Sequence, residues 1–418
     1  MRLFTRYLEI FDTKTGMFLF NKLNGTIIFI ENANFRKSCG DCYYTGSKQE
    51  DESFLEEHDF FLQDAEVRKL IKESTENFGS LKYVLALTNK CNLACSYCYQ
   101  TWKNTDQDMT KDVIDRFIKK LLLDISTYPT FDNITINFFG GEPTLNKDII
   151  YYCIDKVNDI ASRYNKNVIY TMDSNGLLID DDFIKHFSNL VLAITLSLPN
   201  DHNKNRTNKR NEETFDKIVE NILAVSNYFE NDDFLLSIRY NTHHENIFDF
   251  ENFVKFIKTL KINCKIDAAN VDNYAHADFK NLLTELEFLR WKATDFIDIL
   301  FKHKFYVQEL PSVSLSRQCY ATQDVNCKFW PDGSIGVCDF EKYDERRLVT
   351  PDFEFSVENV YNLLQKKRFD LAKICFECYD YPYCGGNKIC MDCDGTYKFK
   401  EIERLKIKGY LIRNQLFP

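Results

Sequence analysis

The spacing of hydrophobic residues changes near residue 80. Before that point short segments rich in apolar residues, at 7–11, 18–20 and 27–30, predict three strands. At 66–76 the apolar side chains recur three and four positions apart, which predicts a helix. Residues 1–80 are therefore expected to form a small α+β module.

From residue 81 onward, apolar runs of strand length alternate with segments of helical periodicity. Such alternation predicts about six strand–helix units in a parallel sheet, either open or curled into a barrel, with helices outside. A helical stretch at 282–301 closes this region near residue 305, and a cysteine-rich tail with a predicted helix at 357–366 follows. The predicted strands are 83–87, 134–139, 167–172, 190–198, 235–240 and 265–271, and the predicted helices between them are 113–125, 147–164, 181–187, 214–228 and 248–260.

The composition argues against several classes of protein. The 418 residues are 44% hydrophobic and 15% aromatic, which is enough for a substantial core. A net charge of −10 argues against a nucleic-acid partner, and no apolar run approaches the length of a membrane span. Glu9, Asp12 and Lys14 interrupt the segment that would be apolar in a signal peptide. We therefore expect a cytoplasmic protein without a membrane partner.

The cysteines indicate metal or redox chemistry. The chain has 15 of them, an odd number, and no export signal, so a disulfide framework is not expected. Cys91, Cys95 and Cys98 offer three thiolates on one short segment. Three soft ligands of this kind suit an iron–sulfur cluster that keeps one iron open for another ligand. Half of a zinc site is the alternative.

Three polar segments each follow a predicted strand. They are the cysteine triplet, the Gly-Gly-Glu-Pro segment at 140–143 and the Asp-Ser-Asn-Gly segment at 173–176. Ligands of parallel α/β sheets bind at the carboxyl ends of the strands. We therefore expect these segments to converge on one face of the sheet.

The cysteine triplet, with Tyr97 directly before its last cysteine, resembles the signature of the radical S-adenosylmethionine (SAM) enzymes. The resemblance implies a partial (β/α)6 TIM-like barrel and a four-iron, four-sulfur cluster on the three cysteines. In that family SAM binds the fourth iron and is cleaved to a 5′-deoxyadenosyl radical, which abstracts hydrogen from a substrate. Gly140, Gly141, Glu142 and Pro143 resemble the family segment that lines the SAM amino group.

Four further residues are candidate SAM contacts by the same resemblance. Asn175 belongs to an Asn-Gly turn after the third strand, and Ser197 stands late in the fourth strand. Arg206 matches an arginine that reaches the SAM carboxylate, with a solvated loop arginine as the alternative. Arg239 lies on the fifth strand, where it either points into the barrel or forms a buried polar pair with Asn241.

The sequence departs from the family pattern around Arg206. Pro199 and Asn200 stand where the family has Asp-Gly, and Asn203 replaces an aspartate. The loop that carries Arg206 is also shorter than the corresponding loop of the family. The role of Arg206 therefore depends on the structure of this loop.

The cysteine-rich tail resembles the SPASM extension of radical SAM enzymes, which implies two auxiliary four-iron, four-sulfur clusters. Five residues separate Cys384 from Cys390, more than in the family, so the partition of the last two cysteines stays open. A zinc site on Cys375, Cys378, Cys390 and Cys393 is the alternative. The implied ligands are Cys319, Cys327, Cys338 and Cys390 for the first cluster, and Cys375, Cys378, Cys384 and Cys393 for the second.

Asp339 follows Cys338 directly. In sulfatase-maturing and some peptide-crosslinking members of the family, an aspartate at this place is a general base. The resemblance therefore implies a catalytic role for Asp339, with a surface aspartate in a polar turn as the alternative.

The three predicted regions of the chain, taken together by their resemblance to known families, imply a peptide substrate. Residues 1–80 resemble the winged-helix module that binds a leader peptide in peptide-modifying maturases, 81–305 the radical SAM barrel and 306–418 the SPASM domain. We expect a maturase that forms a thioether or carbon–carbon cross-link, with an electron donor such as flavodoxin or ferredoxin. The alternatives are an anaerobic sulfatase-maturing enzyme and a non-catalytic iron–sulfur or zinc protein.

Overall fold

The computed structural model describes most of the chain. The predicted helix at 357–366 lies outside the described residues. Within them, no helix is both long enough and apolar enough to cross a membrane. The described residues are 1–38, 41–76, 80–98, 106–187, 190–230, 233–271, 279–313, 326–336, 347–349, 378, 381–384 and 400–416.

The N-terminal part contains two three-stranded antiparallel sheets and two helices. One sheet has the order β1-β6-β5 and the other β2-β3-β4. The three strands and the helix predicted here are confirmed, whereas β1, β5, β6 and α1 were not predicted. The elements are β1 (Arg2–Leu3), β2 (Leu8–Asp12), β3 (Gly16–Asn21), β4 (Ile27–Glu31), β5 (Phe35–Ser38), β6 (Asp41–Tyr44), α1 (Gln49–Glu57) and α2 (Asp64–Glu76).

A nine-stranded sheet forms the centre of the molecule. Its order is β12-β11-β10-β9-β8-β7-β13-β14-β15, and the strands from β12 to β13 are parallel. The strands are β7 (Ser80–Ala86), β8 (Asn133–Phe139), β9 (Asn167–Ser174), β10 (Val191–Ser197), β11 (Phe234–Thr242), β12 (Lys265–Asn270), β13 (Cys327–Phe329), β14 (Ile335–Gly336) and β15 (Arg347–Val349).

Helices connect the parallel strands in chain order. Because β7 to β12 are neighbours in the order of the sequence, the sheet has the connectivity of a barrel rather than of a doubly wound sheet. The predicted partial (β/α)6 TIM-like barrel is therefore confirmed. The helices are α3 (Lys111–Thr127), α4 (Lys147–Tyr164), α5 (Asp181–Lys185), α6 (His202–Asn205), α7 (Phe215–Ala224), α8 (Phe250–Thr259), α9 (Glu285–Ala293) and α10 (Asp295–Lys302).

The single helix predicted at 282–301 is wrong in one respect, because the structure has two helices there. Thr294 separates α9 from α10 with φ −121° and ψ −94°, which is not helical. Thr284 and Glu287 form a reciprocal capping box at the start of α9. Periodicity did not detect the break because apolar residues continue on both sides of it.

The two faces of the barrel sheet differ in polarity. On the outer face, side chains such as Ile136, Tyr170 and Ile238 are fully buried against the helices. The inner face carries half-buried polar side chains in alternate positions, as expected for strands that enclose a solvated interior. These inner residues include Asn137, Thr171, Asp173, Thr195, Ser197, Ser237, Arg239, Asn241 and Asp267.

The C-terminal segments return to the N-terminal module. Tyr381 of α11 (Tyr381–Cys384) packs with Tyr7 and Val67. In α12 (Lys400–Arg413), Arg404 forms an ion pair with the buried Glu9, and Arg413 contacts Glu309 with 2.6 Å between Nε and Oε2. Helix α12 therefore joins the N-terminal sheets to the chain that follows α10.

Asp124 is the centre of a fully buried polar group between α3 and β7. It forms an ion pair with Lys120 and accepts a 2.5 Å hydrogen bond from the Tyr83 hydroxyl, and all three residues are at most 1% exposed. We expect Asp124→Asn to lower the free energy of unfolding by about 3–5 kcal/mol, because it leaves the Lys120 charge buried without a counter-charge. Denaturant unfolding followed by circular dichroism measures this.

Asp159→Asn is the matched control, because Asp159 pairs with Arg163 at the same i,i+4 spacing on an exposed surface. Its expected cost is about 0.5 kcal/mol. If both variants lowered the free energy of unfolding by the same amount, the buried pair would contribute no more to stability than an exposed pair.

Candidate active site

The loop after β7 carries Cys91, Cys95 and Cys98, and it is held from one side by the segment after β8. The backbone N–H groups of Gly141 and Glu142 donate to the carbonyl oxygens of Thr88 and Lys90, at 2.8 and 2.9 Å. These bonds bring two loops together at the carboxyl ends of neighbouring strands, as the sequence predicted.

Glycine is required for this close approach. Gly140 has φ +138°, and a Cβ there would overlap the Thr88 carbonyl. A Cβ on Gly141 would overlap the Lys90 carbonyl. The two glycines therefore position the cysteine loop, and Pro143 begins the short 3-10 turn that follows them.

Glu142 is fully buried and joins the ends of β8 and β9. Its carboxylate accepts hydrogen bonds from the N–H and hydroxyl of Thr144, from the Ser174 hydroxyl at 2.8 Å and from the Asn175 N–H at 2.7 Å. Burial raises the pKa of Glu142, while these hydrogen bonds act in the opposite direction. Contact of Glu142 with the SAM amino group stays a prediction.

Asn175 lies directly against the cysteine loop. Its amide nitrogen donates to Asn92 Oδ1 at 2.7 Å and reaches Cys91 Sγ at 3.8 Å. The Leu93 N–H donates to the same sulfur at 3.4 Å. Burial nevertheless raises the pKa of Cys91 to about 12, so its thiolate needs a bound cation to persist at neutral pH.

The residues after α6 hold the cysteine loop from its other side. The Ala94 N–H donates to the Thr207 carbonyl at 2.8 Å, and the Ser96 N–H donates to the Asn205 carbonyl at 2.9 Å. The cysteine loop is therefore fixed between two backbone segments, one after β8 and one after β10.

Arg206 is buried beside this loop and is 6% exposed. Its Nη1 lies 3.4 Å from the Tyr97 hydroxyl, which also accepts a 3.1 Å hydrogen bond from the Asn241 amide. Among the described residues, no group forms a hydrogen bond with the buried Nε of Arg206. A buried cation with an unused donor next to three thiols suits an anionic ligand such as a carboxylate.

Ser197 and Arg239 lie on the inner face of the barrel, aligned with each other on β10 and β11. Arg239 forms a 2.8 Å ion pair with Asp173 of β9, and Asn137 of β8 approaches the same carboxylate at 3.5 Å. The partner of Arg239 in this structure is therefore Asp173 rather than Asn241. The SAM contacts assigned to Ser197 and Arg239 stay predictions.

The cysteine triplet offers three soft thiolate donors on one short loop. Such a donor set suits an iron–sulfur cluster that leaves one iron open. The donor set, the two glycines and the buried Arg206 therefore fit the iron–sulfur cluster and SAM of the predicted family.

The candidate auxiliary sites lie mostly outside the described residues. Cys327 is fully buried at the start of β13, Cys378 is partly buried beside the N-terminal module, and Cys384 ends α11. Their cluster roles stay predictions. The candidates outside the described residues are Asp339, Cys319, Cys338, Cys375, Cys390 and Cys393.

Sequence reasoning missed Asp201 and His243. Their side chains form a 2.6 Å contact between Oδ2 and Nε2, and Asp201 also accepts a hydrogen bond from Asn205, the residue before Arg206. Both follow strands, Asp201 shortly after β10 and His243 directly after β11. That position is the only signal in the sequence from which they could have been found.

Comparisons with known proteins agree with this geometry. Residues 85–257 match the family model described as the Radical SAM superfamily. A cysteine-type anaerobic sulfatase-maturating enzyme of Clostridium novyi (strain NT) is 28% identical, over 71% of this chain and 84% of its own length.

Two solved structures have a similar fold. Native anSMEcpe with bound AdoMet and Kp18Cys peptide superposes with a TM-score of 0.60 at 18% identity, over 80% of this chain and 98% of its own. Streptococcus suis SuiB bound to the precursor peptide SuiA superposes with a TM-score of 0.53 at 14% identity, over 96% of this chain and 99% of its own.

We expect Gly141→Ala to reduce the iron and sulfide bound per chain several-fold after anaerobic reconstitution, because the new Cβ displaces the Lys90 carbonyl and the cysteine loop with it. Gly409→Ala is the control, since a Cβ in that helix meets only the flexible end of Arg413. Wild-type iron content in Gly141→Ala would show that the close approach is dispensable.

Proposed function

Because this chain carries a radical SAM domain and is an enzyme of SAM radical chemistry, we propose that it cross-links a ribosomally made peptide through a thioether or carbon–carbon bond. The observation that carries the proposal is the N-terminal module. The fold shared with SuiB extends over 96% of this chain, against 80% for anSMEcpe, although both of those chains are matched almost completely. This difference in coverage supports the proposal that the chain carries an additional unit beside the parts of a radical SAM enzyme.

The residues of the candidate active site have distinct proposed tasks. Cys91, Cys95 and Cys98 hold the cluster, and the unused Nε of Arg206 binds the SAM carboxylate. When bound, the cluster and SAM supply a 5′-deoxyadenosyl radical. The buried positions of Tyr97 and Arg206 keep water from this side of the cofactor. A buried guanidinium interacts more strongly with a carboxylate than an exposed one does.

The half-buried inner face of the barrel is the proposed substrate chamber. It presents amides, hydroxyls and the Asp173–Arg239 ion pair rather than a continuous apolar wall. These groups match the backbone amides and carbonyls of a peptide. The ion pair, which joins β9 to β11 across β10, keeps both charged groups oriented while the chamber binds substrate.

Residues 1–80 are proposed to bind a leader segment of the peptide. Among the described residues, β4 is paired on one side only, with β3. The outer side of β2 is in contact with α12, because Arg404 donates to the Ile10 carbonyl at 3.3 Å. The free edge of β4 therefore offers backbone groups to which an extended leader could add a strand.

Residues 306–418 are proposed to hold two auxiliary four-iron, four-sulfur clusters on the eight tail cysteines. A cross-link removes two hydrogen atoms from the peptide, so the reaction needs an electron acceptor in addition to SAM. Auxiliary clusters bound by these cysteines would supply an acceptor for that electron, and Asp339 is the proposed general base. A cytoplasmic flavodoxin or ferredoxin is the proposed donor of the electron that reduces the SAM-binding cluster.

Anaerobic sulfatase maturation is the second candidate function. The observation that favours it is the Clostridium novyi sulfatase-maturating relative, of which 84% is matched. In that case the product would be formylglycine made from a Cys or Ser of a sulfatase. The two functions share the radical chemistry and differ in substrate and product.

Co-expression with short peptides encoded beside the gene tests the proposed function. We expect mass spectrometry to find a peptide that has lost two hydrogen atoms and contains a new cross-link. Cys95→Ala should abolish both this product and 5′-deoxyadenosine release, because the SAM-binding cluster loses a ligand. A chain that modifies only a sulfatase peptide, and forms formylglycine, would refute the cross-linking proposal in favour of the second candidate.

Asp339→Ala tests the general base. We expect this variant to release 5′-deoxyadenosine at a rate within a few-fold of the wild type while the yield of cross-linked peptide falls by more than tenfold. The reason is that SAM cleavage precedes removal of the substrate proton. Normal product yield in this variant would exclude Asp339 from the mechanism, and Asp339→Asn serves as the isosteric comparison.

A further inference from the structure

Asp201 collects three hydrogen-bond donors beside the candidate active site. Its Oδ2 accepts from His243 Nε2 at 2.6 Å and from the Asn205 amide at 2.5 Å, and its Oδ1 accepts from the Asn246 amide at 3.1 Å. The donors come from α6 and from the turn after β11. One carboxylate therefore joins the segment that precedes Arg206 to the end of a barrel strand.

The backbone determines which His243 nitrogen carries the proton. The Glu245 N–H donates to His243 Nδ1 at 3.3 Å, so Nδ1 is an acceptor and Nε2 donates to Asp201. Burial raises the pKa of Asp201, but the hydrogen bonds from His243 and Asn246 outweigh burial and the net pKa is lowered. Asp201 is therefore an ionised acceptor for all three donors.

The group continues from Asp201 to the cysteine loop. The Asn205 side chain, held at its nitrogen by Asp201, accepts at its oxygen from the Ser96 hydroxyl at 2.9 Å. The Phe279 ring lies between the rings of His243 and Tyr97, at centroid distances of 5.2 and 5.8 Å and edge to face with both. Two independent contacts thus join this group to the loop residues between Cys95 and Cys98.

We propose that Asp201 and His243 are positioning residues for SAM binding. They hold Asn205 and Arg206 against the cysteine loop, and so aim the unused Nε of Arg206 at the bound cofactor. Neither residue touches the cysteines in this structure, and the proposed effect passes through Asn205 and Arg206. The inference uses the radical SAM chemistry of the chain and does not depend on the identity of its peptide.

Asp201→Asn tests the proposal because asparagine has one acceptor oxygen and three donors converge on this position. We expect the affinity for SAM to fall by at least tenfold, while the iron content and the absorption spectrum of the reconstituted cluster stay at wild-type values. The shift that SAM induces in the electron paramagnetic resonance spectrum of the reduced cluster should need correspondingly more SAM. In metal-free protein, amide hydrogen exchange at 205–208 should accelerate.

Two variants of His243 separate the proposed role from a general effect on packing. His243→Gln keeps a nitrogen donor at the Nε2 position and should bind SAM within about threefold of the wild type. In His243→Asn the shorter side-chain amide reaches the position of Nδ1 but not that of Nε2. This variant should therefore lose SAM affinity as Asp201→Asn does. Glu251→Gln is the control, because Glu251 Oε1 makes a similar 3.0 Å contact with His303 on the outer helices. It should bind SAM normally.

Unchanged SAM affinity in Asp201→Asn would overturn the proposal. Loss of iron in parallel with SAM binding would also overturn it, because the pair would then support the cysteine loop itself. If Asp201→Asn does not fold, the two His243 variants decide, and equal SAM affinity in both would refute the inference. Because the readout is SAM binding, failure of the cross-linking proposal leaves this test unaffected.

Discussion

The candidate active site depends on pairing the backbone of a loop that has no regular secondary structure. Buried N–H and C=O groups must find partners, and a loop that carries three cysteines cannot supply them by itself. Residues 140–142 provide partners on one side and residues 205–207 on the other. The two glycines in the first segment are consequences of this constraint, because any Cβ there would separate the loops.

Charges of opposite sign are buried on the two sides of the cysteine loop. The Glu142 carboxylate is satisfied by four hydrogen bonds from its own chain, so it stabilises the convergence of β8 and β9. Arg206 has a buried donor, its Nε, that no group in the described part of the chain accepts from. The bonds of Glu142 hold the ends of two strands together, and the buried donor of Arg206 is available to a ligand.

Apolar packing and ion pairs both join the segments that surround the barrel, and Ile407 and Leu411 of α12 pack with Phe11, Phe18 and Phe20 of the N-terminal sheet. The buried Glu9 of the N-terminal module pairs with Arg404 of α12, and Arg413 at the other end of the same helix contacts Asp298 and Glu309. One helix therefore connects the proposed leader-binding module with the outer helices of the barrel. Movement of the module relative to the barrel would have to break these ion pairs or move α12 together with the module.

Local sequence determined the elements of the barrel and the identity of its reactive loops. Periodicity predicted β7 to β12 and the helices between them except the four-residue α6, because each predicted segment is long enough to show which face is buried. The spacing of Cys91, Cys95 and Cys98 indicated a cluster, because its ligands lie close together in the chain. The short strands β5 and β6 gave no comparable signal, since four residues do not establish a period. The break at Thr294 gave none because apolar residues continue on both sides of it. Only the tertiary structure paired Asp201 with His243, linked the two to the cysteine loop through Asn205 and Phe279, and paired Arg239 with Asp173. These contacts join residues that are far apart in sequence, and their partners are decided by the alignment of parallel strands.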